Sequence, residues 1–408
     1  MTRLLHTGDT HIGYQQYHSP ERRQDFLRAF ETVIEDAIEL DVDAVVHSGD
    51  LFQDRRPDLQ DIQGVVSALR RLRDASIPFL AIVGNHEEKR DQQWLDLLAD
   101  LDLTHRLGSD PYTVGDISIY GLDYVPPTER DELEYDFIPA NTEHAVLVAH
   151  GLFEPFEIGD WDTERLLSES NISLDALLLG DNHEPGTRKI DDTWLTYPGS
   201  TERASATERE KRGYNIIRSS NGDIEISRRT IETRRFVFVD VELNSGQGFA
   251  YARDRVREYD HTDAVTIITI EGEGEQITPG PLEEIALEEG ALIARVNDRR
   301  ELDETTDDMD VSFADPDAAV REQLKQMDLS TVSRDLDQVI RDSAIADSNV
   351  RDYAHQSIEE ALDEGLSSLQ IDDKTSDGSS SSEPEQVDTS GDSSDDGSNQ
   401  QLSMGDYL

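Results

Sequence analysis

Five short apolar runs in this chain each stop on a residue able to bind a metal, and that repetition constrains the fold more than any other feature of the sequence. They are LLHTGDTH (Leu4 to His11), AVVHSGD (Ala44 to Asp50), LAIVGNHE (Leu80 to Glu87), AVLVAH (Ala145 to His150) and ALLLGDNHE (Ala176 to Glu184). A short apolar run bounded by turn residues reads as a buried strand. In open α/β sheets the carboxyl ends of such strands are where ligands bind. One strand ending on Asp or His means little, because every strand must end in something polar. Five that offer only oxygen and imidazole donors point to a site for two hard or borderline divalent metals.

Between these runs the spacing becomes helical. Glu21 to Leu40 sets Phe26, Phe30, Val33, Ile34, Ala37 and Ile38 on one face, and Leu59 to Arg73 does the same with Ile62, Val65, Val66, Leu69 and Leu72. A strand at Pro78 to Val83 and a helix at Trp94 to Leu101 continue the β-α-β rhythm. Tyr112 to Tyr124 reads as a shorter alternating strand, and WLTYPGS, GYNIIRS and DIEISRR read as hairpin strands, so mixed or stacked sheets fit better than one parallel sheet. The expected fold class is α/β, with a layered α/β/β/α domain over residues 1–233. A small α+β unit of β-α-β-α-β pattern follows over 234–305.

Beyond it, residues 306–370 are expected to be helical. Val320, Leu324, Met327, Leu336, Val339, Ile340, Ile358, Leu362 and Leu366 are spaced as amphipathic helices broken near Ser348. So thin a core suits a segment that docks on a partner; the alternative is a self-contained helical hairpin. Residues 371–408 have the Ser, Asp and Gly content of a disordered acidic tail.

The formal net charge is -52 over 408 residues, and with residues 372–408 set aside about -43 remains, so the body of the chain is itself acidic. Five of the 37 basic residues are Lys. This composition resembles proteins of salt-in halophiles; an ordinary acidic protein is the plainer reading. In concentrated KCl the Debye length falls below about 3 Å, so so acidic a chain is not barred from a polyanion such as DNA. There is no cysteine, which excludes disulfides and thiolate metal sites. No signal peptide is read before Arg3-Leu4-Leu5 and no apolar run reaches a membrane span, so the expectation is a cytoplasmic, nucleoid-associated protein with no membrane partner.

Hydrolysis of a phosphodiester needs an activated water, neutralised non-bridging oxygens and help for the departing alkoxide, and two metals sharing a ligand supply the first two. Asp50 suits the shared position. Asp9 and His11 put two donors on one strand-end loop, Asn85 offers a carbonyl oxygen, and His150, Asp181 and His183 complete two sets. His86 is left to act on substrate. Any one of these histidines alone reads as a hydrogen-bonded core or surface residue, as His6, His18, His47, His105, His144, His261 and His355 do; the joint placement at strand ends is what argues for a site.

The series DTHIG (Asp9 to Gly13), GDLF (Gly49 to Phe52), GNHE (Gly84 to Glu87), AHG (Ala149 to Gly151) and GDNH (Gly180 to His183) resembles the calcineurin-like metallophosphoesterases, whose pattern runs D-x-H, GD, GNH[DE], H and GHxH. Within that superfamily DTHIGYQQYHSPERRQDF, GDLFQDRRP and YPGSTER (Tyr197 to Arg203) resemble the archaeal Mre11 double-strand-break repair nucleases, related to bacterial SbcD, over roughly residues 1–235.

The resemblance implies two Mn²⁺ per chain, one held by Asp9, His11, Asp50 and His183 and the other by Asp50, Asn85, His150 and Asp181, with His86 assisting catalysis. It implies exonuclease and endonuclease activity on DNA ends and a homodimer. The small unit would cap the DNA, and the helical segment would bind an SMC-like coiled-coil ATPase of the Rad50/SbcC type. Arg22, Arg23, Arg55, Arg56 and Arg203 lie beside family motifs and are expected to touch DNA, whereas Arg70, Arg71 and Arg73 read as solvated. Two departures stand out. Asp181 replaces the family's His, and Gln53 stands where a second His often follows GDLF. Both leave room for a weakly catalytic, end-tethering subunit; a small-substrate phosphodiesterase is the other alternative. Finally, Gln401, Met404, Tyr407 and Leu408 have the Q-x-x-h-x-x-a-a spacing of peptides that bind the replication sliding clamp, a motif short enough to arise by chance.

Overall fold

Successive residues of a strand point to opposite faces of its sheet, and here that alternation sorts side chains into three separate cores. The computed structural model describes residues 2–300 apart from 90, 91, 158 and 221; the expected helical segment, the acidic tail and Gln401, Met404, Tyr407 and Leu408 lie outside the described residues. The chain runs β1 (Arg3–Thr7), α1 (Pro20–Glu39), β2 (Ala44–His47), α2 (Leu59–Asp74), β3 (Phe79–Ala81), α3 (Trp94–Asp100) and β4 (His105–Arg106). It continues through β5 (Tyr112–Val114), β6 (Ile117–Leu122), β7 (His144–His150), α4 (Thr163–Glu169), β8 (Ala176–Gly180), β9 (Gly186–Ile190) and β10 (Thr193–Tyr197), then β11 (Gly213–Ser220) and β12 (Asp223–Thr230). One six-stranded sheet has the order β12-β11-β1-β2-β3-β4, the other β5-β6-β7-β8-β10-β9.

Leu5, Val45 and Ala81 face α1, α2 and α3, while their neighbours Leu4, Ala44, Val46 and Leu80 face the second sheet through Val146, Val148, Ala176 and Leu178. On that sheet Leu147, Ala149, Leu177 and Leu179 turn outward to meet Phe153, Trp161 and Leu166 of α4. The result is the α/β/β/α layering expected. Both central runs are parallel, β1 to β4 and β6, β7, β8 and β10, so their carboxyl ends open on one side. The antiparallel strands β5, β9, β11 and β12 close the edges.

Helix α1 starts where sequence chemistry says it should. Ser19 accepts the Arg22 N–H and Pro20 opens the first turn. Asp58 and Asp61 form a capping box at the head of α2. The stretch read as one strand from Tyr112 to Tyr124 is a hairpin turning at Gly115, whose φ of 55° is the left-handed region. Helix α4 shows no helical spacing in the sequence because its only apolar residues, Leu166 and Leu167, are adjacent.

The small unit comprises β13 (Phe236–Leu243), α5 (Phe249–Val256), β14 (Val265–Gly272), α6 (Pro279–Glu288) and β15 (Ile293–Asp298), with its three strands parallel in that order. Both helices cover one face through Ala252, Val256, Leu282 and Ala286. The other face turns Val265, Ile267 and Ile293 toward Tyr17 and Ala206 of the layered domain. Arginines line this junction: Arg22 and Arg203 stack on Phe236 at 5.1 and 5.2 Å, and Arg295 stacks on Tyr17 at 5.3 Å. Arg234 forks the buried Asp25 carboxylate with two bonds of 2.8 Å. No helix among the described residues is long and apolar enough to cross a membrane.

Candidate metal centre

The donors stand on loops that leave parallel strands in one direction. Asp9 and His11 follow β1, Asp50 follows β2, Asn85 and His86 follow β3, His150 ends β7, and Asp181 and His183 follow β8. Four of them occupy left-handed backbone, with φ of 49° at Asp9, 42° at His11, 57° at Asp50 and 90° at Asp181. Asp, Asn and His are the side chains best tolerated there. The first two loops are zipped together: Asp9 N–H donates to the Gly49 carbonyl, Thr10 and His11 N–H to that of Asp50, and Ile12 N–H to that of Leu51, all at 3.0 to 3.1 Å. Gly84 lets the third loop close in, since a Cβ there would run into the Asp50 carboxylate.

The side chains converge on Asp50. Its Oδ2 lies 3.8 Å from His11 Nε2 and 3.4 Å from His150 Nε2, while its Oδ1 accepts the His86 backbone N–H at 3.0 Å. On one side of it, Asp9, His11 and His183 gather with ligand atoms within 4.8 Å of one another, and the two Nε2 atoms of His11 and His183 face each other at 2.9 Å. On the other, His150 Nε2 lies 3.0 Å from Asn85 Oδ1 and 3.9 Å from Asp181 Oδ1. His86 stands beside the first group, its ring 4.9 Å from that of His11.

Hydrogen bonds set the tautomers. A carbonyl oxygen only accepts, so His150 Nδ1 carries the proton it gives to the Ser48 carbonyl at 2.7 Å, and His86 Nδ1 the one it gives to that of Gln53 at 3.0 Å. His183 Nδ1 bonds Glu208 at 3.0 Å. All three therefore present Nε2 to the cleft.

So many buried carboxylates need counter-charge. Burial pushes Asp9 up, and Asp181 up to about 6. Burial works against ionised Asp50 too, but His150 and His86 hold it well below the usual carboxylate range. Burial also opposes a proton on His183, yet Glu208, Asp9 and Asp181 push it up to about 9; in His150 the same opposition is overcome by Asp50. Protons thus collect on two imidazoles where a cation would stand.

Of the arginines expected at DNA, only two are presented outward. Arg55 and Arg56 are exposed on the loop after Asp50 and form no ion pair among the described residues. Arg22 is fully buried, bonded to Asp25, Gln16 and the Arg203 carbonyl. Arg203 is buried as well, with its guanidinium on the carbonyls of Glu208 and Glu210. Arg23 is held by Asp58 and Asp61. These three guanidinia are spent on internal acceptors, so the expectation of DNA contact fails for Arg22 and Arg203, and Arg23 meets it only by giving up two carboxylates.

Two neighbours of the cleft were given no role in the sequence, Glu87 at the end of the GNHE motif and Glu208 outside every motif. Glu87, buried, accepts the N–H groups of Phe52 at 3.0 Å and Gly84 at 3.4 Å, and so staples the second and third loops; burial, then Asp50, pushes its carboxyl up to about 8. Glu208, behind His183, lies in STERASATEREKR, a polar stretch with no periodicity or spacing to single it out.

Residues 2–199 match the calcineurin-like phosphoesterase family, and the layered fold with its ligand cleft defines a metallophosphoesterase, a hydrolase of phosphoester bonds. The chain is 58% identical over 363 residues to the DNA double-strand break repair protein Mre11 of Haloferax volcanii, spanning 89% of this chain and 82% of that protein. It is 52% identical to the Mre11 of Halobacterium salinarum, over 89% of this chain and 95% of that one. With the Mre11 of Methanosarcina acetivorans it shares 42%, over 85% of this chain and 59% of that protein. The chain belongs to the Mre11 family of DNA double-strand break repair proteins.

A metallophosphoesterase fold carries a dinuclear divalent metal site, and the residues fit one. Asp9 Oδ2 is buried with no hydrogen-bond partner among the described residues, and the Nε2 atoms of His11 and His183 converge beside it, so a cation placed there would satisfy all three atoms at once.

Proposed function

We propose that this chain is a Mn²⁺-dependent exonuclease and endonuclease that processes DNA ends in double-strand-break repair. The observation that carries the reading is Asp50 Oδ2 facing His11 on one side and His150 on the other, a carboxylate oxygen shared between two donor sets. In this reading Asp9, His11, Asp50 and His183 hold one metal, and Asp50, Asn85, His150 and Asp181 the other. The metals, when bound, neutralise the phosphate's non-bridging oxygens and make water nucleophilic at neutral pH. Three oxygen donors in the second set favour Mn²⁺ over softer ions. His86, its Nδ1–H fixed on the Gln53 carbonyl, offers Nε2 to the substrate and, once protonated there, gives the proton to the departing alkoxide.

In the same reading residues 1–233 form the nuclease domain and 234–305 cap the DNA. The 306–370 segment docks on an SMC-like coiled-coil ATPase of the Rad50 type, two copies of the chain associate, and the last eight residues bind a sliding clamp. Asp181 and Gln53 favour a second reading, an end-tethering subunit of the same complex with weak catalysis. One assay separates them: cleavage of linear DNA by the full chain in concentrated KCl with Mn²⁺ or Mg²⁺, beside Asp50→Ala. Metal-dependent cleavage lost in the variant supports the nuclease; DNA binding without cleavage in either metal supports the tether.

A further inference from the structure

Of the four imidazoles around the cleft, His183 alone has a carboxylate behind it. His150 and His86 use backbone carbonyls, and His11 Nδ1 has no partner among the described residues. Glu208, 4% exposed, bonds His183 Nδ1 through Oε1 at 3.0 Å. Its Oε2 accepts from Ser200 Oγ at 3.1 Å, Ala204 N–H at 3.2 Å and Arg212 Nη1 at 3.0 Å, so the carboxylate has one orientation open to it. Arg212 Nη1 also bonds the His183 carbonyl at 2.9 Å, gripping the residue from its backbone side.

The next residue points the other way. Arg209 stacks on Phe238 at 4.8 Å and forks the Asp240 carboxylate at 2.9 and 2.5 Å, both on β13 of the small unit. Within the same loop Arg203 bonds the Glu208 carbonyl at 2.8 Å while stacking on Phe236. The loop joining β10 to β11 is therefore fastened by Glu208 to an imidazole of the cleft and by Arg209 to the small unit, with a single peptide between the two fastenings.

We propose that Glu208 is the positioning residue for His183 and that, through Arg209, it makes this one metal position respond to the placement of the small unit. The proposal rests on the reading of His183 as a ligand. A carboxylate accepting Nδ1–H fixes the ring's tautomer and direction and makes Nε2 a better donor, and loss of such an outer partner lowers metal affinity roughly 10- to 100-fold. Glutamine at 208 keeps the size, but whichever way its amide turns, an NH₂ meets His183 Nδ1–H or the donors of Arg212 and Ala204.

The test is titration of the metal-free full chain with MnCl₂, followed by calorimetry and by Mn²⁺ electron paramagnetic resonance, which reports exchange coupling between two ions. Wild type is expected to take two ions; uptake of fewer would sink the two-metal reading itself. Given two, Glu208→Gln should weaken one step roughly 10- to 100-fold and leave the other. Ser200→Ala, which removes one of the bonds locking Glu208, covers a misfolded Gln variant and should weaken the same step roughly two- to tenfold. Both steps unchanged in both variants would overturn the positioning role. Arg209→Ala should weaken that step too, and an unchanged isotherm would overturn the link to the small unit.

Discussion

Asp25→Asn should be among the most destabilising single-atom changes in this chain, and the reason can be worked through from its neighbours. The Asp25 carboxylate, 2% exposed, accepts from Arg22 at 2.8 Å, from Arg28 at 3.2 Å and from Arg234 through two bonds of 2.8 Å. Arg22 is 0% exposed and Arg234 11%, whereas Arg28 is 64% exposed. Oδ2 serves both Arg22 and Arg234, and Oδ1 serves Arg234 and Arg28. An amide cannot replace this. If its oxygen stays at Oδ2, its NH₂ meets the Arg234 Nη2 donor; if it flips, NH₂ meets both Arg22 and Arg234 Nε. Removing one partner of a buried pair costs about 3–5 kcal/mol, because the remaining charge is left uncompensated. Arg22 keeps Gln16, the Arg203 carbonyl and Glu202 at 3.3 Å, which places the loss toward the lower end, at about 3 kcal/mol. Arg28→Ala, removing an exposed partner of the same carboxylate, should cost about 0.5 kcal/mol. Urea unfolding followed by Trp fluorescence measures both, at two KCl concentrations, since only the exposed pair is screened by salt. A cost for Asp25→Asn under about 1 kcal/mol, or no greater than that of Arg28→Ala, would refute the role given to this carboxylate.

Asp50→Ala should lose both metals, whereas His86→Ala should keep them and lose cleavage; native mass spectrometry beside the nuclease assay counts the ions, and equal loss in both would refute the roles assigned. His6 is buried and, through that burial and then His47, has its pKa lowered to about 3 from 6.5. As pH falls below 6.5 the unfolded chain binds a proton that the folded chain refuses, so His6 should cost about 1.4 kcal/mol of stability per pH unit down to about 3. Unfolding of wild type and His6→Gln at pH 6.5 and 5.5 checks this, and parallel pH dependences would contradict it. Replacing both Arg55 and Arg56 by Ala should weaken duplex binding roughly tenfold even in concentrated KCl, since bidentate phosphate contacts act at short range; fluorescence anisotropy showing unchanged affinity would move the DNA path elsewhere. A labelled peptide of residues 396–408 should bind the sliding clamp, and a Met404→Ala, Tyr407→Ala peptide should not; equal or absent binding by both would dismiss the motif.

Much of the layered fold could be read from residues because its signals are local and repeated. Phe26, Phe30, Val33, Ile34 and Ala37 are all buried on α1, and Val65, Leu69 and Leu72 on α2, as their spacing requires. The residues that converge on Asp50 announced themselves by ending apolar runs. Arg22 and Arg203 misled for a physical reason: a guanidinium beside a motif looks the same in sequence whether it faces phosphate or satisfies buried carbonyls, and only the fold says which. Glu208 was illegible on the opposite ground. It meets His183 across 25 residues that hold the whole of β9 and β10, and no periodicity records such a pairing.

The left-handed backbone at Asp9, His11, Asp50 and Asp181 also limits what mutation can do to the cleft. Besides Gly, the residues that sit there at small cost are Asn, Asp and His, and each of these carries an atom that binds divalent metals. A drifting sequence is therefore steered, by backbone sterics alone, from one donor to another, whereas Glu, Ser or an aliphatic residue is disfavoured before any metal is consulted. The Asp at 181, where the family pattern has His, is a step within this small alphabet. Gly apart, the fold thus favours a donor at these four positions while leaving its hardness and charge free to vary.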